Sequence, residues 1–208
     1  MGQHQIDVPL RMKSGLSNIL PGLYFFLILL FPSAVSLAGT GDDILPNWEK
    51  LRSGIPEKRE NKAIVFIDFS IPSDEKRFFI VDAANGKILF SAPTAHGKGS
   101  GRGRFAEKFS DEPGKYASTL GLFRIGESYQ GKHGLSIRLQ GLEKKNSNAE
   151  KRAVVIHKAW YCEADFIQQY QRCGNSWGCP ALSEADFEYA LKGLTPGTFL
   201  YAYRSKNL

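Results

Sequence analysis

A mainly β fold with a few short helices is what this chain predicts, on three observations. Short β-branched and aromatic runs recur along it, an Asn85-Gly86 pair stands between two of them, and helical spacing is confined to brief stretches. Strand-like runs separated by turn residues, with few helices between, describe a sheet-dominated domain. At 208 residues the chain is long enough for one domain with a buried core.

Residues 42–53 space Ile44, Leu45, Trp48 and Leu51 among polar neighbours and predict a short lead-in helix despite Pro46. Residues 54–61 are charged, contain Pro56 and read as a linker, so the lead-in and linker occupy 39–61 and the main domain 62–208. Within that domain, residues 62–69, 77–83 and 87–92 are rich in β-branched and aromatic side chains. Asn-Gly between the last two predicts a hairpin, because both residues tolerate a positive φ. Further strands are predicted at 120–125, 135–139, 153–157 and 198–203. Helical spacing is weak at 162–171 and clear at 183–194, where Ser183 is a natural N-cap ahead of Phe187, Ala190, Leu191 and Leu194.

The N-terminus has a different character. Arg11 and Lys13 precede an apolar stretch at 19–31 and then Ser33-Ala34-Val35-Ser36-Leu37-Ala38. A basic start, an apolar run too short to span a bilayer comfortably and a small-x-small site predict a secretory signal peptide, residues 1–38, cleaved after Ala38. An uncleaved anchor is the rival reading. No later segment is apolar enough to cross a membrane, so the mature chain is expected to be soluble, exported to the periplasm or cell wall, and monomeric.

The net charge is +6, and the basic residues are scattered with no long run interleaved with aromatics. That pattern excludes nucleic acid as a partner and suits an anionic polymer or a carboxylate-bearing substrate. The glycine-rich run from His96 to Gly103 lacks the Lys-Ser/Thr that a phosphate loop places after its last glycine, so no nucleotide is expected; it reads as a flexible or closely packed loop. Close-spaced metal ligands such as Cys-x-x-Cys do not occur, so neither metal nor other cofactor is expected.

The most informative run is Ser176-Trp177-Gly178-Cys179-Pro180, with His157 upstream at the end of Val154-Val155-Ile156. A cysteine between glycine and proline suits a turn better than a strand interior. A histidine on another element can take the thiol proton, which makes the thiol nucleophilic. The pair reads as nucleophile and base, with a buried structural thiol and a core histidine as the alternatives.

From His96 onward the chain resembles the murein L,D-transpeptidase catalytic-domain family, a branch of the YkuD-like enzymes. The resemblance lies in His96-Gly97-Lys98-Gly99-Ser100-Gly101, Phe109-Ser110, Ser118-Thr119-Leu120-Gly121-Leu122, Tyr129-Gln130-Gly131-Lys132-His133-Gly134, Leu139-Gln140-Gly141-Leu142, Ala153-Val154-Val155-Ile156-His157 and Ser176-Trp177-Gly178-Cys179-Pro180. Two positions depart from the broader superfamily. Trp177 stands where a histidine is usual, and Pro180-Ala181 where Arg or Asn is usual.

The resemblance implies a β-rich transpeptidase fold acting on peptidoglycan stem peptides. It places the catalytic cysteine at Cys179 and the catalytic histidine at His157. The thiol would attack the carbonyl of the third residue of a stem tetrapeptide and release D-alanine, and an amine would then resolve the thioester. A water acceptor would make the protein an L,D-carboxypeptidase, and loss of chemistry would leave a cell-wall-binding module. Lowering the thiol pKa calls for a nearby imidazolium, and a backbone carbonyl is the candidate to orient His157. Gly178 and Cys179 N–H groups are the natural oxyanion donors, with Ser176 lining the substrate site. Trp177 either walls the acyl pocket or packs in the core. His96 and His133 either line the cleft or cap turns. Arg138 and Arg152 either pair a substrate carboxylate or form ion pairs at the surface. With Cys179 required free, Cys162 and Cys173 remain to form one disulfide, or else to be two separate buried thiols.

Overall fold

The computed structural model describes residues 45–56 and 62–205. The predicted signal peptide 1–38, its cleavage site and linker residues 57–61 lie outside the described residues. Among those described, no helix is long and apolar enough to cross a membrane.

The elements run in the order α1 (Trp48–Ser53), β1 (Ala63–Asp68), β2 (Phe78–Asp82), β3 (Ile88–Ala92), β4 (His96–Gly97), β5 (Gly121–Gly131), β6 (Gly134–Gly141), β7 (Val155–Lys158), α2 (Ala164–Tyr170), β8 (Asn175–Ser176), β9 (Ala181–Leu182), α3 (Glu184–Ala190) and β10 (Phe199–Tyr203). Eight strands form one mixed sheet in the order β3-β2-β1-β10-β5-β6-β7-β9, and β4 pairs with β8 beside it. Only β1/β10, β7/β9 and β4/β8 are parallel. The protein is mainly β with three short α-helices, as its sequence predicts.

Both faces of the sheet are covered. Along β1, Val65 and Ile67 face the larger cluster with Phe78, Ile80, Phe123, Ile137 and Leu200, while Ile64 and Phe66 face the other side. That second side is closed by Leu45, Leu51 and Ile55, so α1 packs into the same core as the strands. A side chain as fully buried as Phe66 contributes about 1.5–3 kcal/mol over an exposed one. α3 covers the first face with Phe187 and Ala190, and the Ser183 hydroxyl caps it by accepting the Asp186 N–H at 3.1 Å.

The predicted hairpin at Asn85-Gly86 is present. Asp82 N–H donates to the Lys87 carbonyl at 2.8 Å, and Gly86 adopts φ 73°, with the Trp48 ring only 2.4 Å from where a Cβ would sit. α1 begins only at Trp48 because Asn47 takes a left-handed φ of 59° after Pro46. The weak helical signal at 162–171 resolves into a 3-10 turn, Trp160–Cys162, followed by α2.

The main departure from expectation is the length of β5. It continues well past the predicted 120–125 to Gly131, with a register shift between Ile125 and Ser128, whereas β6, its hairpin partner, stays close to the predicted 135–139. The outer part of β5 is largely polar and solvent-facing and lacks the apolar alternation that marks a half-buried strand. The hairpin tip carries Lys132 and His133 over the end of β7.

Candidate active site

The position of His157 follows from the sheet. It pairs with Ser136 on β6 and, in parallel register, with Ala181 on β9. Its backbone N–H points at the Pro180 carbonyl, 3.4 Å away. Cys179, two residues before Ala181, is therefore carried alongside His157, and both side chains line a hollow of about 490 Å³.

The turn that presents Cys179 is held from within. Ser176 Oγ accepts the Gly178 N–H at 3.0 Å and donates to the Cys179 carbonyl at 2.6 Å. Gly178 sits at φ 122°, and a Cβ there would meet the Ala117 carbonyl at 2.6 Å and the Arg152 guanidinium at 2.7 Å. Only glycine fits that conformation and that space.

Cys179 is half-buried. Its Sγ accepts the Val155 N–H at 3.5 Å and lies 3.7 Å from the Ala153 carbonyl. Burial pushes its thiol pKa up, against the opposing pull of the Val155 N–H and of the Arg152 and Lys132 charges. His157 is 2% exposed, and burial pushes its pKa below 6.5; the Lys158 carbonyl opposes that shift, and His133 and Lys132 reinforce it. Both shifts act in favour of the neutral forms, thiol and imidazole, over thiolate and imidazolium.

A backbone carbonyl does orient the imidazole. His157 Nδ1 lies 2.9 Å from the Lys158 oxygen, so Nδ1 carries the hydrogen and Nε2 keeps its lone pair. The opposite ring face stacks on His133 at 4.5 Å between centroids and 20° between planes.

The other predicted residues divide. His133, Arg152, Ser176 and Trp177 line the hollow. Trp177 is 61% exposed. Its ring meets Tyr116 at 5.1 Å, and the Lys132 and Lys98 ammonium groups stand 4.9 and 5.3 Å from it. Arg152, however, is not available to a substrate carboxylate. Its guanidinium donates to the Ser110 and Ala117 carbonyls and the Thr119 hydroxyl, and it pairs with Asp111, so it braces the floor behind the cysteine turn. Arg138 is outside the hollow, with its guanidinium 4.0 Å from the Tyr129 ring centre on the exposed face of β6.

His96 is not in the cleft either. It is fully buried, its Nδ1 2.9 Å from Arg77 Nη2 and its Nε2 3.0 Å from the Gly101 carbonyl. Burial and the adjacent guanidinium push its pKa down to about 4. It pins the glycine-rich loop, which is closely packed and held by β4 against β8. Of the two expected oxyanion donors, the Gly178 N–H is already engaged by Ser176; the Cys179 N–H has no partner among the described residues.

The expected Cys162–Cys173 disulfide is not formed. Both cysteines are free and buried, the Cys162 thiol donating to the Ala181 carbonyl at 3.2 Å and the Cys173 thiol to the Ser73 carbonyl at 3.0 Å. The two thiols are also neighbours, Cys162 and Cys173 interacting side chain to side chain. Among the described residues no group of three potential ligands could hold a metal.

Tyr161 and Asn175 also line the hollow without having been named, as do Tyr129, Lys132 and Ala153, which lie in the motifs that carry the resemblance but were given no role of their own. Gly131 and Gly134 flanking Lys132-His133 were the available signal, since a glycine-bounded pair between strands marks a hairpin tip.

A β-rich domain with a thiol and an imidazole on the wall of one hollow is the class of protein these observations define. Residues 45–203 match the L,D-transpeptidase catalytic domain family, and the chain belongs to it. No curated protein matches the chain. Solved structures of L,D-transpeptidases are similar to the chain at low identity. An L,D-transpeptidase from Mycobacterium smegmatis is 12% identical with a TM-score of 0.43, over 68% of this chain and 58% of that one. One from Xylanimonas cellulosilytica is 16% identical at 0.44, over 75% of this chain and 68% of that one. L,D-transpeptidase 3 from Mycobacterium tuberculosis, with a faropenem-derived adduct, is 11% identical at 0.43, over 69% and 60%. The matched region spans less than two thirds of both mycobacterial chains.

Proposed function

We propose that this chain is an exported peptidoglycan L,D-transpeptidase that works through a Cys179 thioester. The observation that carries the reading is the meeting of a half-buried thiol and a carbonyl-oriented imidazole in one hollow, within a domain of this family. His157 Nε2 takes the Cys179 proton as sulfur attacks the carbonyl of the third residue of a stem tetrapeptide. A C–S bond forms, and the Cys179 N–H donates to the developing oxyanion. As the C–N bond breaks, the imidazolium returns the proton to the departing D-alanine amine. An acceptor amine then attacks the thioester, gives its proton to His157 and releases Cys179. Residues 1–38 serve as the export signal, and the mature chain begins at Gly39.

Incubation with muropeptide tetramers tests the reading. Cross-linked dimers support it, trimmed tripeptides indicate a carboxypeptidase, and unchanged tetramers leave a binding module. Retention of full turnover by Cys179→Ala removes the nucleophile assignment. N-terminal sequencing of the exported protein tests cleavage after Ala38.

A further inference from the structure

The ring of His133 covers one face of His157, and the acyl transfer outlined above gives it no part. His133 stands in a two-residue loop closed by the Gly131–Gly134 pair at the tip of the β5–β6 hairpin. The same β6 pairs with β7 through Ser136 and His157, so the ladder that positions the base also positions its cover. His133 is exposed, whereas His157 is buried. A solvated side chain at a hairpin tip has rotamers to spare. This one nevertheless lies 4.5 Å from the buried ring and within 20° of parallel to it.

The two contacts on His157 restrain it in different ways. The Lys158 carbonyl ties the Nδ1 edge at 2.9 Å, and the His133 ring covers a face. Nε2 is left for the proton of Cys179. A ring stacked face to face puts no acceptor in line with an Nε2–H bond, so His133 is not a relay for that proton. Its influence runs through orientation and charge. Lys132 adjoins it on the hairpin, and Tyr161 and Cys179 share the catalytic hollow with it. His133 also lines a second hollow with Lys158 on β7, Glu184 on α3 and Glu163 just ahead of α2; Glu184 is paired with Lys158. Burial lowers the pKa of both rings, and the Lys132 charge works the same way on each. A proton on His133 and one on His157 therefore repel each other across the stack.

We propose that His133 is a positioning residue for acylation, a ring that fixes the plane of His157 while Nε2 takes the Cys179 proton. The assignment rests on the transpeptidase reading above. As the thiol gives up its proton, imidazolium forms against the His133 face. A neutral His133 tolerates that charge and a protonated one opposes it.

Two measurements on the full mature chain test the role. Thioester formation with donor tetrapeptide is followed by intact mass, and the His157 ring is titrated by NMR in the unacylated protein. His133→Ala should lower the acylation rate by roughly ten- to a hundred-fold through loss of alignment, with the donor KM unchanged. His133→Phe keeps a flat ring without nitrogen and should restore most of the rate. In that variant the repulsion is gone and the aromatic face favours imidazolium. The His157 midpoint and the acid limb of acylation should both move up by roughly 0.4–0.7 of a pH unit. A wild-type rate in His133→Ala overturns the proposal, and so does a His133→Phe variant as slow as His133→Ala. A rise in donor KM at unchanged kcat in both variants makes His133 a substrate contact and overturns it as well. An unmoved His157 midpoint in His133→Phe overturns the coupling of the two rings. Absence of any thioester in the wild-type protein overturns the transpeptidase reading and the acylation role with it; the NMR midpoint needs no substrate and tells the two failures apart.

Discussion

Replacing Ser176 with alanine tests how the nucleophile is held. The hydroxyl is buried and joins the Gly178 N–H to the Cys179 carbonyl, so Ser176→Ala removes two hydrogen bonds and leaves the buried Gly178 N–H without a partner. An orphaned buried donor costs about 1–3 kcal/mol, and loss of the second bond about 1 more, which together come to about 3 kcal/mol. For a domain of this size that corresponds to a fall in Tm of about 6–12 °C. The same change loosens the turn bearing Cys179, and a misplacement on the order of 1 Å at a reacting atom costs about a hundred-fold in rate. Differential scanning calorimetry reads the first effect, and the rate of thioester formation by intact mass reads the second. If Ser176→Ala melts within 2 °C of wild type and acylates at the wild-type rate, the hydroxyl does not organise the turn and the argument fails.

The acid limb of the acylation rate should fall at a pH below 6.5, because a base whose pKa is lowered stays neutral further into acid; a rate that instead climbs through the thiol range would mean that preformed thiolate, and not His157, sets the reactivity. Stability should drop as pH falls from 6.5 towards 4, since the unfolded chain protonates His96 over that window while the folded one, with a pKa of about 4, does not. The contribution reaches about 3 kcal/mol below the window; urea titrations at pH 7 and 4.5 check it, and an equal loss in His96→Gln would assign it to other groups. Iodoacetamide should modify Cys179 alone in the native protein and all three cysteines after unfolding without reductant, whereas a linked Cys162–Cys173 peptide would contradict the free thiols.

What the chain disclosed about itself depended on how local the cause was. β1, β2, β3 and β10 were legible because their residues are apolar and β-branched for reasons internal to each strand, and the cap at Ser183 because its bond reaches only to Asp186. The outer half of β5 was not, since its strand identity comes from pairing with β6 and not from burial. β4, β8 and β9 are two residues each, too short to show any period. Cys179 and His157 were brought to one hollow from separate motifs. The arginines show the limit most clearly: Arg152 looked like a ligand for carboxylates and is a brace, while Arg77, which attracted no notice, is wholly buried and bonded to the Thr94 and Ile71 carbonyls and to His96. Charge in a sequence carries no record of which carbonyls will surround it.

The cysteine turn hangs between two ladders, β8 ending at Ser176 on one side and β9 starting at Ala181 on the other. Only residues 177–180 bridge them, and within that span Gly178 is fixed by its surroundings and Pro180 by its ring. The conformational entropy of the nucleophile is thus surrendered when the chain folds, before any substrate arrives. Meanwhile the segment between Ala159 and Gly174 leaves and rejoins the sheet without carrying the register of β7 against β9. It carries Tyr161 into the lining of the hollow and seats Cys162 against the Ala181 carbonyl, so a change in its surface would alter what the hollow presents while the sheet keeps the spacing of sulfur and imidazole.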